Sequence, residues 1–103
     1  MSDKFDQALI DAYFSHIITD YNFMSRDQEM QDSFRNGLTI EYGKKYAKVI
    51  QDGSAHSFVQ LVDDAKFKRG DVLKANSWKA PAKNFSRGNI LTGDFGRISW
   101  TGA

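Results

Sequence analysis

The chain has 103 residues, no cysteine and one proline, and its 14 Lys/Arg against 13 Asp/Glu leave a formal net charge of +1. A chain of this length holds a single core and buries only about two-thirds of its unfolded surface, and without cysteine neither a disulfide framework nor a thiolate metal site is possible, which fits a reducing interior. Hydrophobic residues at 41% and aromatics at 14% are too many for a disordered chain.

The opening Met1 to Gln7 has neither the basic stretch nor the apolar core of a secretory leader. No apolar run approaches the roughly 18 residues of a membrane span. A soluble, cytoplasmic protein with no membrane partner is expected. The small net charge conceals a division: three bases and eight acids lie up to Gly43, and eleven bases and five acids follow from Lys44. That asymmetry suits a basic part that attracts nucleic acid or an acidic partner, unless the acidic helices pack close enough to cancel its field.

In chain order, Phe5, Leu9, Tyr13, Ile17 and Tyr21 recur every four residues, with Ala8, Ala12 and Met24 widening the stripe. This spacing predicts a helix from about Asp3 to Phe23. Ser25 with Gln28 matches a capping box, and Asn36-Gly37 reads as a left-handed stop, so a second helix is expected over Arg26 to Arg35. From Leu38 the pattern turns strand-like, with strands expected over Leu38–Tyr42, Tyr46–Ile50, His56–Val62 and Val72–Ala75, and a last one over Arg97–Thr101. Asp52-Gly53 predicts a tight hairpin, because both central positions of its turn need positive φ. Pro81 and the glycines at 88, 93 and 96 predict an irregular segment between Trp78 and Phe95. The expected architecture is α+β: one domain over residues 1–103, with an acidic helical part (1–37) laid on the small antiparallel sheet of a basic, β-rich module (38–103).

The block Gly70-Asp71-Val72-Leu73-Lys74-Ala75, with Ser77-Trp78-Lys79-Ala80-Pro81-Ala82-Lys83 and Arg87-Gly88-Asn89-Ile90, resembles one found in short uncharacterised proteins of tailed bacteriophages. A strand holding His56, Phe58 and Val59 precedes it. The resemblance covers roughly residues 46 to 102 and leaves the N-terminal helices unmatched, and the charged loop from Asp63 to Arg69 departs from it. It implies a phage origin, hence the cytoplasm of an infected bacterial host, and a compact C-terminal module; it transfers no site residue.

Lys66 to Trp100 interleaves eight Lys/Arg with both tryptophans and only two acids. Phosphates would be met by Lys66, Lys68, Arg69, Lys74, Lys79, Lys83, Arg87 and Arg97, with Trp78, Phe85 or Trp100 as stacking platforms for bases. The competing account makes the same aromatics core and the lysines their solvated cover. The glycines from Gly88 to Gly96 lack the Lys-Ser/Thr of a phosphate loop, and Asp94-Phe95-Gly96 matches a kinase metal-binding triplet in letters only, so turn glycines are the better reading. His16 and His56 are the only histidines. A nucleophile and base drawn from Ser57 or Ser54 with His16 has no spacing to support it, and Asp63-Asp64 reads as a turn, so no catalytic residue, metal or cofactor is assigned.

Two functions from different classes remain: DNA or RNA binding with little sequence preference through the basic, aromatic module, and a protein-interaction module that binds or inhibits a host metabolic or defence protein. A monomer or a homodimer is compatible with either. An unpaired edge strand, or Phe14 and Ile18 off the main stripe of the first helix, offers a face for a second copy.

Overall fold

The structure, a computed structural model, describes residues 4–83 and 85–102. Two helices, α1 (Gln7–Met24) and α2 (Gln28–Asn36), precede a five-stranded sheet of β1 (Leu38–Tyr42), β2 (Tyr46–Gln51), β3 (Ser54–Gln60), β4 (Asp71–Lys74) and β5 (Gly88–Asn89). The strands lie side by side in chain order and every pair is antiparallel, so the fold is α+β. No helix among the described residues is long and apolar enough to cross a membrane.

The helix ends differ in detail from expectation. α1 begins at Gln7, Asp3 lies outside the described residues, and Phe5 is buried ahead of the helix. Ser25 closes α1, its N–H donating to Tyr21 O, and it is Asp27 that caps α2 by accepting from Glu29 N. Gly37 is right-handed, with φ at −83°, and not the left-handed stop expected. Its small size has another use: a Cβ there would lie 3.0 Å from Gln51 Nε2 and 3.2 Å from Asp52 N, where the β2–β3 hairpin closes on the end of α2. That hairpin turns through Asp52 and Gly53 with φ of 51° and 82°, as the dipeptide predicts.

Residues paired directly across strands share a face, so Ala47, Val49, Val59 and Val72 form the floor on which α1 rests. Ile10, Tyr13 and Ile17 are buried against them, joined by Phe34, Leu38, Leu61, Ile90 and Ile98. Ala8, Ala12 and Met24 are exposed and do not widen the stripe; Phe14 and Ile18 do, packing partly buried against this core. The opposite face carries a second small core of Phe58, Leu73 and Phe67, with Tyr46, Ala55 and Ala75 packed on it. The sheet is therefore covered on both sides, by the helices on one and by loops on the other.

One irregularity organises the interior. β2 steps from Val49 to Ile50 while β3 steps from Ser57 to Ala55, so His56 is an extra, bulged residue. The bulge interrupts the alternation of β3 and lets His56 and Ser57 both meet Tyr13 on the helix side. Ser57 Oγ lies 2.7 Å from Tyr13 Oη and 2.9 Å from His56 Nδ1, and His56 Nε2 lies 2.9 Å from Ser99 O. A carbonyl only accepts, so His56 carries its proton on Nε2, Ser57 donates to Nδ1, and Tyr13 donates to Ser57. Burial lowers the pKa of His56 and raises that of Tyr13, holding both neutral.

The expected last strand over Arg97–Thr101 is not formed. The segment turns back on itself, with Ser99 bridging Gly102. It is anchored to α1 instead: Trp100 N donates to Asp20 Oδ2 at 2.8 Å and His16 Nε2 donates to Ile98 O at 2.8 Å. Within the segment expected to be irregular, β5 pairs with β4 through Gly88 and Asn89.

Candidate nucleic-acid interface

β4 ends at Lys74, and the chain then folds across the face of the sheet opposite the helices. Ala75 bridges Pro81, and Asn76 N and Ser77 N both donate to Ala80 O, so residues 75–81 form a tight excursion over that face. Its tip brings Trp78 beneath Lys48 of β2, with the Lys48 ammonium 3.8 Å from the ring centroid, a close cation–π contact. Trp78 remains 45% exposed. Lys79 reaches the β1–β2 turn, where it lines a depression of about 230 Å³ together with Lys44, Lys45 and Lys48. Tyr42, Tyr46 and Phe58 form part of its wall, and Glu41 is its one acid.

The charges there are unevenly matched. Lys45 pairs with Asp64 at 3.1 Å, which raises the pKa of the lysine. Asp64 is held well below the usual carboxylate range, first by the N–H groups of Phe67 and Lys66, which donate to its Oδ1 at 2.7 and 2.8 Å, and then by Lys45. This carboxylate fixes the 63–69 loop and with it Phe67, which seals the second core. Among the described residues, by contrast, no carboxylate pairs with Lys44, Lys48 or Lys79.

The residues expected at the site from sequence are scattered and do not gather at one place. Trp78 and Lys79 are on the face just described; Lys66 lies beside Phe67 of the second core, its Nζ 5.6 Å from the centroid of that ring and hydrogen-bonded to the carbonyl of Lys83. Phe85, Arg87 and Arg97 gather at the β5 edge, where the guanidinium carbons of Arg87 and Arg97 lie 3.6 and 5.6 Å from the Phe85 centroid. The depression beside them includes Asp71 and Asp94, so this edge is of mixed charge. Lys74 is in register with Ser57, on the helix side of the sheet, and Lys68 is exposed in the loop before β4. Arg69 has a structural post: it donates to Leu61 O at 2.5 Å and to Lys4 O at 3.4 Å, and stacks on Phe5 at 4.4 Å. Trp100 packs edge-on against Tyr21 and Phe34 beside the main core, so of the two tryptophans only Trp78 stands open.

Lys44, Lys45 and Lys48 escape a reading that looks for a contiguous basic run. The usable signal is period two: Lys48 faces Phe58 across β2–β3, on the side opposite the helices. The run Gly88–Gly96 forms a turn, with Asn89 N and Asp94 O 3.0 Å apart and Asn89 Oδ1 accepting from Leu91 N at 2.7 Å. Ser57 is bonded to His56 and not to His16, and with Ser57 and Tyr13 fully buried that trio braces the fold. Among the described residues no group of three His or carboxylate side chains is placed to hold a metal ion.

No curated protein and no solved structure matches the chain. A family model does match, spanning residues 3–103 and thus both helices and the whole sheet, and the chain belongs to the Family of unknown function (DUF7717).

Proposed function

We propose that this protein binds nucleic acid, DNA or RNA, with little sequence preference, as a small accessory protein of a tailed bacteriophage acting in the host cytoplasm. The observation that carries the reading is the convergence of Lys44, Lys48 and Lys79, none paired with a carboxylate among the described residues, around the exposed Trp78. Ammonium groups on a shallow surface neutralise phosphates without reading base edges, and an exposed indole accepts any base on its π-face. The test is a titration of labelled single-stranded DNA, duplex DNA and RNA at several salt concentrations. The expected result is micromolar or tighter affinity whose logarithm falls linearly with the logarithm of salt concentration. Absence of binding at low salt removes the reading.

A second reading, a module that docks on a host protein, draws on the junction of the two helices. Phe23 is 86% exposed there, with Met24 and Met30 also open, and large apolar side chains grouped on a surface are the usual material of protein contacts. Retention of one host protein by the wild type but not by Phe23→Ser would favour it.

A further inference from the structure

The face opposite the helices carries two depressions that differ in chemistry, and the Lys48–Trp78 pair joins them. The first, about 230 Å³, is the one lined by Lys44, Lys48 and Lys79. The second, about 330 Å³, is lined by Trp78, by Ala55 and Ala75, and by the small polar residues Ser54, Asn76 and Ser77. An anion suits the first and a flat heterocycle the second. Lys48 borders the first while its ammonium holds the indole from 3.8 Å. Trp78 is thereby oriented before any ligand arrives, which lowers the ordering cost of binding.

We infer that a single strand binds across this face in one register, with a base on Trp78 in the second depression and a neighbouring phosphate among Lys44, Lys48 and Lys79 in the first. The inference rests on the nucleic-acid reading and adds to it a preference for unpaired strands. Bases stacked inside a duplex cannot enter the slot beside Trp78, so a duplex meets only the lysines. A single strand meets both depressions, and its stacked base brings roughly tenfold or more in affinity. The small polar residues of this lining, Asn76 and Ser77 among them, suit tolerance of sequence.

The test compares three probes by fluorescence anisotropy, with tryptophan emission read in parallel: a thymidine oligonucleotide about a dozen nucleotides long, an abasic strand with the same number of phosphates, and a duplex of matching length. The expected result is that the thymidine strand binds about tenfold tighter than the abasic one and quenches emission. In Trp78→Ala the quenching is lost and the two affinities converge; the exposure of Trp78 leaves the fold intact in that variant, which the unchanged emission of Trp100 verifies. Equal affinity for thymidine and abasic strands without quenching, or tighter binding of the duplex, overturns the inference while leaving nucleic-acid binding in place. No affinity for any of the three at low salt overturns both.

Discussion

His56 Nε2 donates to the carbonyl oxygen of Ser99 at 2.9 Å, joining a bulge in the middle strand of the sheet to the turn near the end of the chain. The bond depends on a neutral imidazole that also accepts from Ser57 at Nδ1. Burial holds the pKa of folded His56 below its ordinary value of 6.5, so the unfolded chain takes up a proton that the folded one resists. The stability that neutral His56 secures is complete above that value and declines as pH falls toward the lowered one. Thermal unfolding followed between pH 7.5 and 5 should show this decline in the wild type and a flatter profile in His56→Gln. His16 is present in both proteins, so their difference isolates His56.

Tyr13→Phe removes the donor at the far end of the same chain and leaves Ser57 with one partner. A cost of about 1 kcal/mol is expected from urea unfolding, with Ser57→Ala costing a similar amount.

The tryptophans should separate by stability. Trp100 packs edge-on against Tyr21 and Phe34, so Trp100→Ala should cost about 3 kcal/mol. Trp78 is half open and its ring meets the Lys48 ammonium, and Trp78→Ala should cost no more than about 1 kcal/mol. Chemical denaturation of the two variants checks both values.

Much of the fold is legible from local signals. The four-residue recurrence from Phe5 to Tyr21 marks α1, and Asp52-Gly53 marks the central hairpin, because each pattern reports an interaction between near neighbours. β5 is not legible in this way. Its two residues are a strand because Arg87 N donates to Val72 O and because Gly88, lacking a Cβ, lets the Asp94 carbonyl approach. The end of the chain alternates like a strand, yet its carbonyls at Ile98 and Ser99 bond to His16 and His56, partners no local pattern contains. The candidate site was half visible. Trp78 and Lys79 stand out in the basic run, while Lys44 and Lys48 join them only because residues 75–81 fold back over the sheet.

The close approach at Gly88 makes a sharp prediction. A Cβ there would lie 2.1 Å from Asp94 O, so Gly88→Ala must displace the β5 turn, at about 3 kcal/mol or more. Gly93, with φ of 75° and nothing within 4 Å of its would-be Cβ, should lose only about 1 kcal/mol on the same change, from backbone conformation alone. Parallel unfolding curves test the contrast.

Asp64 should reveal itself in acid. Its folded pKa is depressed, so its contribution is present above the ordinary carboxylate range and is lost as pH falls through the lowered value. In Asp64→Asn the amides of Lys66 and Phe67 lose their charged acceptor at neutral pH as well. Hydrogen exchange should show these two amides deprotected while those of α1 remain protected.

Nucleic acid is proposed to bind on the face bearing Lys44, Lys48 and Lys79. The most direct test of this placement is the salt dependence of single-strand affinity in the wild type and in a triple variant with these lysines changed to alanine. Each phosphate contact with a single strand contributes about 0.7 to the slope of log affinity against log salt. This placement predicts a slope shallower by about 0.7 in the triple variant, for the one phosphate seated among the three lysines, and no comparable change on replacing Lys68 and Lys74, which lie elsewhere. An unchanged slope in the triple variant, with affinity retained, would contradict it.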